Sequence, residues 1–482
     1  LYGNLLFLDL VLLPNAFTVL GELVFVLLLW PMQDQRARGL SIAAGLVLGL
    51  LTLVRSELLL VVPLLVGVTV LWRNVLPAKK LAWLILGLAV VVVPVAVHNT
   101  RTGGGLILVS YNGGVNLYLG NNPKADGTWR AVSPLVRTGS ITLEGIRRNS
   151  LLSEGRPMKP ASSSAHWTRE AITFVRQQPK KFCALTLRRI GLFAGNFEIP
   201  NNYYFDQARE ASLVLRLLAL PFGVILALGL GGVFYFSATW KRGYPALLLI
   251  LVYALTSILT FTLSRLRAPV VPLLLPYAAA SGVGLTRWLG ARHRTDIVRI
   301  SPRLGLVALL ALVVFVVSLI PLADRRAYAV EGDIQAGNIL LNSGQTEAAR
   351  VWFERARALN PSSVQATYGL FNVAAKLKNR SAAQARSAEL YQLSRSAGDS
   401  AYALLSSALI GTMSGDFLSA RQAYTSVLEI DPFNVDARFL LAMVHHTLGD
   451  TSAARLELER TLTLAPDYED ARRWYRQLSR VK

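Results

Sequence analysis

Apolar runs fill the first two thirds of the chain and then stop. Eight of them approach the roughly 20 residues needed to cross about 30 Å of hydrocarbon; they lie near 10–30, 40–54, 57–72, 81–97, 212–236, 244–263, 268–287 and 304–322. The fourth, LAWLILGLAVVVVPVAV, and the eighth, LGLVALLALVVFVVSLIPL, carry no charge at all. The second and third are short and meet at Arg55-Ser56-Glu57, a pattern that suits a hairpin crossing only part of the bilayer. Between the fourth and fifth lies a long polar connection, 98–211, whose early part reads VSYNGGVNLYLGNNPKADGTW. Its glycines and asparagines predict tight turns and left-handed backbone. Past Arg325 the texture changes to alanine-rich amphipathic helices. The pattern therefore predicts an all-α chain in two parts. One is a polytopic transmembrane helix bundle over 1–324, with a large extracytoplasmic loop at 98–211. The other is a helical array over 325–482.

Charge orients the first part. The loops at 31–39, 73–80, 237–243 and 287–303 together carry 12 basic residues against two acidic, and simple alternation of eight spans places all four on one side. Basic short loops mark the cytoplasmic face. The connection at 98–211, the short loop SRLR at 264–267 and everything after 322 then lie outside the cytoplasm. Residues 1–330 hold 33 Lys/Arg against 13 Asp/Glu, while 331–482 hold 17 against 16. A basic excess confined to the apolar part points to anionic lipid rather than nucleic acid. One cysteine, Cys183, leaves no internal disulfide to form. Leu1 has no initiator Met or leader ahead of it, which reads as the start of a fragment.

The carboxy-terminal third is periodic. Pro361, Pro432 and Pro466 each close a helix, in ERARALNP, TSVLEIDP and ERTLTLAP; the last two are 34 residues apart and the first two 71, two such units plus three. Counted back from the prolines, Gly337, Ala349, Phe353 and Ala356 fall on the small and aromatic positions of a tetratricopeptide repeat. Ala420 and Tyr424 do so in a third unit, Ala442 and Ala454 in a fourth. The second unit, 364–397, keeps only Ala383. Helix 467–481 would cap the stack. The region resembles an α-solenoid of tetratricopeptide repeats, which implies a surface for a protein partner or acceptor and no chemistry of its own. His445 and His446, adjacent on one helix, point to different faces and do not form a metal pair.

No nucleotide loop, zinc spacing or nucleophile elbow occurs, so no cofactor and no metal is expected. The candidate chemistry is arginine at the outer surface. Arg265 and Arg267 sit between two spans, followed by three prolines, and Arg55 lies at a similar depth. A guanidinium is permanently charged and can bond two oxygens at once, which suits a phosphate. Snorkelling to the interface is the alternative use of the same residues.

Four stretches carry a further resemblance: VLLPNAFTVLGELVFVLLLW with Glu22, LLTLVRSELLLVVPLL, RTGGGLILVSYNGGVNLYLGNNPKADGTW, and LFAGNFEIPNNYYFD followed by LSRLRAPVVPLLLPYAAA. In this order, over about 1–290, they look like GT-C membrane glycosyltransferases that use a polyprenyl-phosphate sugar. These are bacterial relatives of the dolichyl-phosphate-mannose protein mannosyltransferases, of glycosyltransferase family 39 type. The resemblance implies transfer of a sugar from the lipid carrier to an extracytoplasmic protein, lipid or glycan. Arg265, Arg267 and Arg55 would hold the donor phosphate. Asn112, Asn116, Asn121, Asn122, Glu198 and Asn201 would contact sugar or acceptor, with turn-capping as the plainer role of each asparagine. The family's catalytic acid lies in a first outer loop that would precede this chain, and an arginine usual before the loop is replaced by His98. A membrane-anchored tetratricopeptide scaffold for envelope assembly is the non-enzymatic alternative, and an oligosaccharide ligase or polymerase the third.

Overall fold

The structure, a computed structural model, describes residues 2–10, 15–29, 38–72, 75–129, 158–200, 204–218, 220–235, 240–291, 302–397, 401–465 and 467–480. The chain forms two compact units, Leu1–Asp324 and Arg325–Lys482. Among the described residues both are helical and no strand forms; an isolated parallel bridge joins Thr128 and Thr262.

In the first unit, apolar helices pack through small residues. The helices Arg38–Val54 and Ala78–Gly103 approach so closely that a Cβ on Gly45 would collide with the Leu84 carbonyl oxygen, and one on Gly87 with that of Ile42. The helices Phe222–Tyr235 and Val270–Ala291 meet in the same way, at Gly232 against the Tyr277 carbonyl. Such close backbone approach gains dispersion energy. Phe25, Leu48, Leu58, Leu84, Phe222, Leu249 and Leu274 are fully buried members of the shared core. The opposite faces stay apolar: Phe17, Leu20, Leu27, Leu50, Val70, Val90 and Leu312 are exposed. An aqueous surface rarely carries so many large apolar side chains together.

Helix length qualifies the reading of eight spans. Among the described residues one helix, Ala78–Gly103, is long and apolar enough to cross a membrane. The other seven expected spans fall on apolar stretches of 10–17 described residues, some of them within longer helices such as Val270–Ala291. The stretch expected as one span at 212–236 is divided into Leu213–Leu217 and Phe222–Tyr235, because Pro221 cannot donate a backbone hydrogen bond. The connection at 98–211 also departs from expectation. It contains the helices Gly113–Gly120, Pro160–Gln177, Pro179–Ala194 and Phe205–Ala211. Within the asparagine-rich stretch only Gly127 takes a left-handed conformation, at φ 88°.

In the second unit, helices come in pairs: Arg325–Asn342 with Thr346–Leu359, Val364–Lys376 with Arg380–Ala397, Ala401–Ser414 with Phe417–Ile430, and Val435–Thr447 with Thr451–Leu464. Glu469–Arg480 follows, covering Leu458 and Ala454 with Ala471 and Leu478. Ala349, Ala383, Ala420 and Ala454 take the same buried place in successive second helices. The Phe353 ring lies against both Gly337 and Gly369, where a Cβ on either would intrude on it. In the second pair the bulk changes sides: Phe371, buried, replaces Gly337 in the first helix, and Ser387 replaces Phe353 in the second. That exchange hides the repeat from a motif count. The three extra residues fall at the end of the same pair, where Arg380–Ala397 has 18 residues and its counterparts have 14.

Each pair turns in one way. Gly344, Lys378, Gly415 and Gly449 have φ of 84°, 56°, 79° and 86°. The next residue's N–H reaches back to a carbonyl five residues earlier: Gln345 to Leu340, Asn379 to Ala374, Asp416 to Gly411 and Asp450 to His445, each at 2.9 Å. This is the Schellman closure, which needs left-handed backbone at the residue before the donor. Asp416 and Asp450 then cap the following helices by accepting from the Ser419 and Ala453 N–H groups. The Ser419 hydroxyl and then its N–H hold the Asp416 carboxyl below its usual range, and the Ala453 N–H and then the Ser452 hydroxyl do the same for Asp450. Lys378 alone adopts the left-handed conformation with a side chain, at a cost of about 1–2 kcal/mol. Lys378→Gly is expected to raise the opening free energy of the second pair by about 1 kcal/mol, and Gly415→Ala to lower that of the third by a similar amount. Amide hydrogen exchange in Val364–Lys376 and Phe417–Ile430 reads both; no change in either refutes the assignment of strain.

Candidate functional site

The helix Asn15–Leu29 buries Asn15, Thr18, Glu22, Phe25 and Leu29, a spacing of three and four that makes one face. On an otherwise apolar helix, the first half of that face is polar. The Glu22 carboxyl accepts a short hydrogen bond from the Tyr253 hydroxyl on the helix Trp240–Leu259, while its Oε2 is buried with no partner. Arg55 and Glu57 are the charged neighbours of this pair. Arg55 follows the helix Arg38–Val54 as a single extended residue before the 3-10 turn Ser56–Leu60. Its guanidinium donates to Asn15 Oδ1 and to the Arg265 carbonyl at 3.1 Å, and pairs with Glu57 at 3.4 Å. Arg55 Nε and Asn15 Nδ2 are buried with no partner. A carboxyl with a free oxygen, an amide with a free N–H and a guanidinium with a free N–H thus belong to one polar neighbourhood in apolar surroundings. Buried polar atoms left in this way cost about 1–3 kcal/mol each unless a ligand or water meets them.

The paired arginines of the sequence divide. Arg265 and Arg267 share the one-turn helix Ser264–Arg267 but serve different neighbours. Arg267 is fully buried. It pairs with Glu198 at 3.0 Å and donates to the carbonyls of Phe193 (3.2 Å), Gly195 and Phe197 (2.6 Å each). Its guanidinium also lies 4.6 Å from the Phe222 ring centroid. Glu198 is held in turn by Tyr2 (2.7 Å) and Asn4 (2.8 Å). Arg267 and Glu198 therefore form a structural clamp, with their bonding capacity directed inward rather than toward a phosphate or a sugar. Arg265 is half-buried beside Arg55, and burial with that like charge lowers its pKa, Glu57 opposing. The arginines brought together are Arg265 and Arg55, not Arg265 and Arg267.

The asparagines divide too. Asn121 Nδ2 donates to the carbonyls of Leu117 and Leu259, both at 2.8 Å, and its Oδ1 accepts from Arg189 at 3.2 Å. Asn122 Nδ2 donates to Tyr118 O at 2.9 Å and its Oδ1 accepts from the Lys124 N–H at 2.8 Å. Both close the helix Gly113–Gly120 and knit the polar connection to the apolar helices. Asn112 and Asn116 lie one turn apart near the start of that helix, half-buried, and Asn112 Oδ1 has no partner. Asn201 lies outside the described residues, and His98 is exposed. Asn15, Tyr253 and Arg189 were not singled out by sequence. The seven-residue step from Asn15 to Glu22 along an apolar helix was a usable signal for the first, whereas Arg189, fully buried, is one basic residue among 15 in its loop. Among the described residues no group of His, Cys, Asp and Glu could hold a metal.

A tetratricopeptide-repeat family model matches residues 412–478. Among solved structures, YrrB, described as a tetratricopeptide-repeat protein with an unusual peptide-binding site, is similar at 18% identity and a TM-score of 0.25, covering 39% of this chain and 97% of its own. No curated protein matches. The carboxy-terminal region carries tetratricopeptide repeats, a protein-interaction domain.

Removing Arg267 leaves the Glu198 carboxylate buried without its cation, which costs about 3–5 kcal/mol. Arg267→Ala is therefore expected to lower the melting temperature of the detergent-solubilised chain and its yield, whereas Arg265→Ala keeps both. Equal melting of the two variants would show that the clamp does not hold the first unit together.

Proposed function

We propose that the chain is a membrane-associated interaction protein, in which the tetratricopeptide repeats bind a protein or peptide partner and the first unit is seated in a bilayer. The observation that carries the reading is the repeat domain: four helix pairs closed by a capping helix, with the family match falling inside them. The apolar faces of the first unit and the crossing-length helix Ala78–Gly103 support the membrane half. The loop charges favour an orientation with the repeats outside the cytoplasm, and the glycosyltransferase resemblance suggests the inner membrane of a bacterium. A photoreactive amino acid at Tyr402, on a first helix, is expected to cross-link a partner in cells; one at Val351, exposed on a second helix, is not. Adducts at neither position, or at Val351 alone, overturn the interaction reading.

A second reading is favoured by one observation, the buried polar face of Asn15, Glu22, Tyr253 and Arg55 beside Arg265. We propose it as the donor end of a polytopic glycosyltransferase using a polyprenyl-phosphate sugar. Arg265 and Arg55 would hold the phosphate, while Asn112 and Asn116 would reach sugar or acceptor. Its test is transfer of radiolabelled sugar from the polyprenyl phosphate in membranes of a strain carrying the chromosomal variant. Arg265→Ala is expected to lower transfer about 10- to 100-fold, the loss of one charged hydrogen bond. Unchanged transfer leaves the scaffold as the only reading.

A further inference from the structure

The first helices of the second to fourth repeat pairs bring aromatic rings and a carboxylate together. Tyr402 and Asp436 occupy the same register position, 34 residues apart, in successive first helices. Tyr368 and Phe439 likewise share a register position one turn further on, in the first helices of the second and fourth pairs. The Tyr368 and Tyr402 rings lie 5.1 Å apart and tilted by 51°. Phe439 and Tyr468 lie 5.2 Å apart, and the Tyr468 hydroxyl donates to Asp436 Oδ1 at 3.2 Å. Burial comes first in raising the Tyr368 and Tyr468 hydroxyls to about 12, and the Asp436 charge adds to it in both. The shared register of Tyr402 and Asp436 on neighbouring first helices, with the Tyr468 hydroxyl bonded to Asp436, sets the ring pairs beside that carboxylate.

All four rings are half-buried and Asp436 is exposed. Among the described residues no cation pairs with Asp436. Arg438, two residues along the same helix, is committed elsewhere, to Glu457 at 2.6 Å and to the Pro432 carbonyl. Partly exposed rings beside an unneutralised carboxylate attract a cation. The ring quadrupole and the carboxylate act in the same direction on an ammonium or guanidinium, and the apolar stem of lysine or arginine suits the ring walls.

We propose that this patch takes a lysine or arginine side chain of an extended peptide segment of the partner, its charge against Asp436 and its stem between the Tyr368–Tyr402 and Phe439–Tyr468 rings. This rests on the reading that the repeats bind a protein or peptide. The aromatic walls alone would accept any apolar side chain. Asp436 is what selects a cation.

Selection of a random peptide library on the full detergent-solubilised chain tests it. Selected peptides are expected to share one Lys or Arg position flanked by apolar residues. Asp436→Asn should weaken them about tenfold, the value of one charge-assisted contact, and Tyr402→Leu about three- to tenfold. Amide exchange of Val435–Thr447 shows whether either variant keeps its fold. Replacing the shared cation by Gln in the peptide should cost the wild type about tenfold and Asp436→Asn much less. If peptides are selected but share no cation, or bind Asp436→Asn as tightly as wild type, the cation pocket is refuted and peptide binding stands. If peptides are held by a terminal carboxylate or by an apolar side chain alone, the outcome is the same. If no peptide is selected, the interaction reading fails with it.

Discussion

A guanidinium taken out of water inside an apolar unit needs partners for most of its N–H groups, and the first unit is organised around two such side chains. Arg267 and Arg189 are its largest fully buried side chains. Arg267 gathers the backbone carbonyls at the end of the helix Pro179–Ala194 and pairs with Glu198, while its Nε, like that of Arg189, is buried without a partner. Arg189, from the same helix, reaches the Ile258 carbonyl at 3.0 Å and the Gly120 carbonyl and Asn121 amide of the asparagine-rich stretch. Each arginine thereby ties the polar connection to apolar helices that small residues pack together. Removing either cation strands several carbonyls at once, whereas the apolar contacts around them are individually weak.

This constraint explains what the sequence could and could not disclose. Hydropathy located the apolar helices because lipid and protein interior select the same residue types. It overstated their lengths, since a run such as 212–236 stays apolar across the break at Pro221. The asparagine-rich stretch resisted reading for a different reason. Asparagine is enriched both in left-handed turns and at helix ends, and only the carbonyls of Leu117, Tyr118 and Leu259 decide that Asn121 and Asn122 do the second. Arg265 and Arg267 were indistinguishable in sequence, because the carboxylate that claims one of them is 69 positions away, at Glu198.

The repeats were legible for the opposite reason, as their determinants are local. Small residues at a fixed spacing, a left-handed turn and an Asp or Asn cap lie within one unit, so periodicity exposes them. The second pair escaped the count because packing fixes the volume shared by two facing positions and not which helix supplies it. Phe371 opposite Ser387 does what Gly337 opposite Phe353 does, and Lys378 keeps the turn that glycine makes elsewhere.

Charge is used differently in the two units. The repeat unit is nearly balanced, and two of its carboxylates each hold two arginines: Glu389 holds Arg357 and Arg386, and Glu457 holds Arg438 and Arg460. Side chains two apart on a helix point to different faces, so Arg438, bound to Glu457 on the second helix of its pair, cannot turn back to Asp436. The ion pair that locks the fourth repeat together is thus also what leaves Asp436 unneutralised among the rings. A charge left open in this way is stable while water covers it, and becomes selective when an apolar segment displaces that water, because only a cation then restores what the carboxylate has lost.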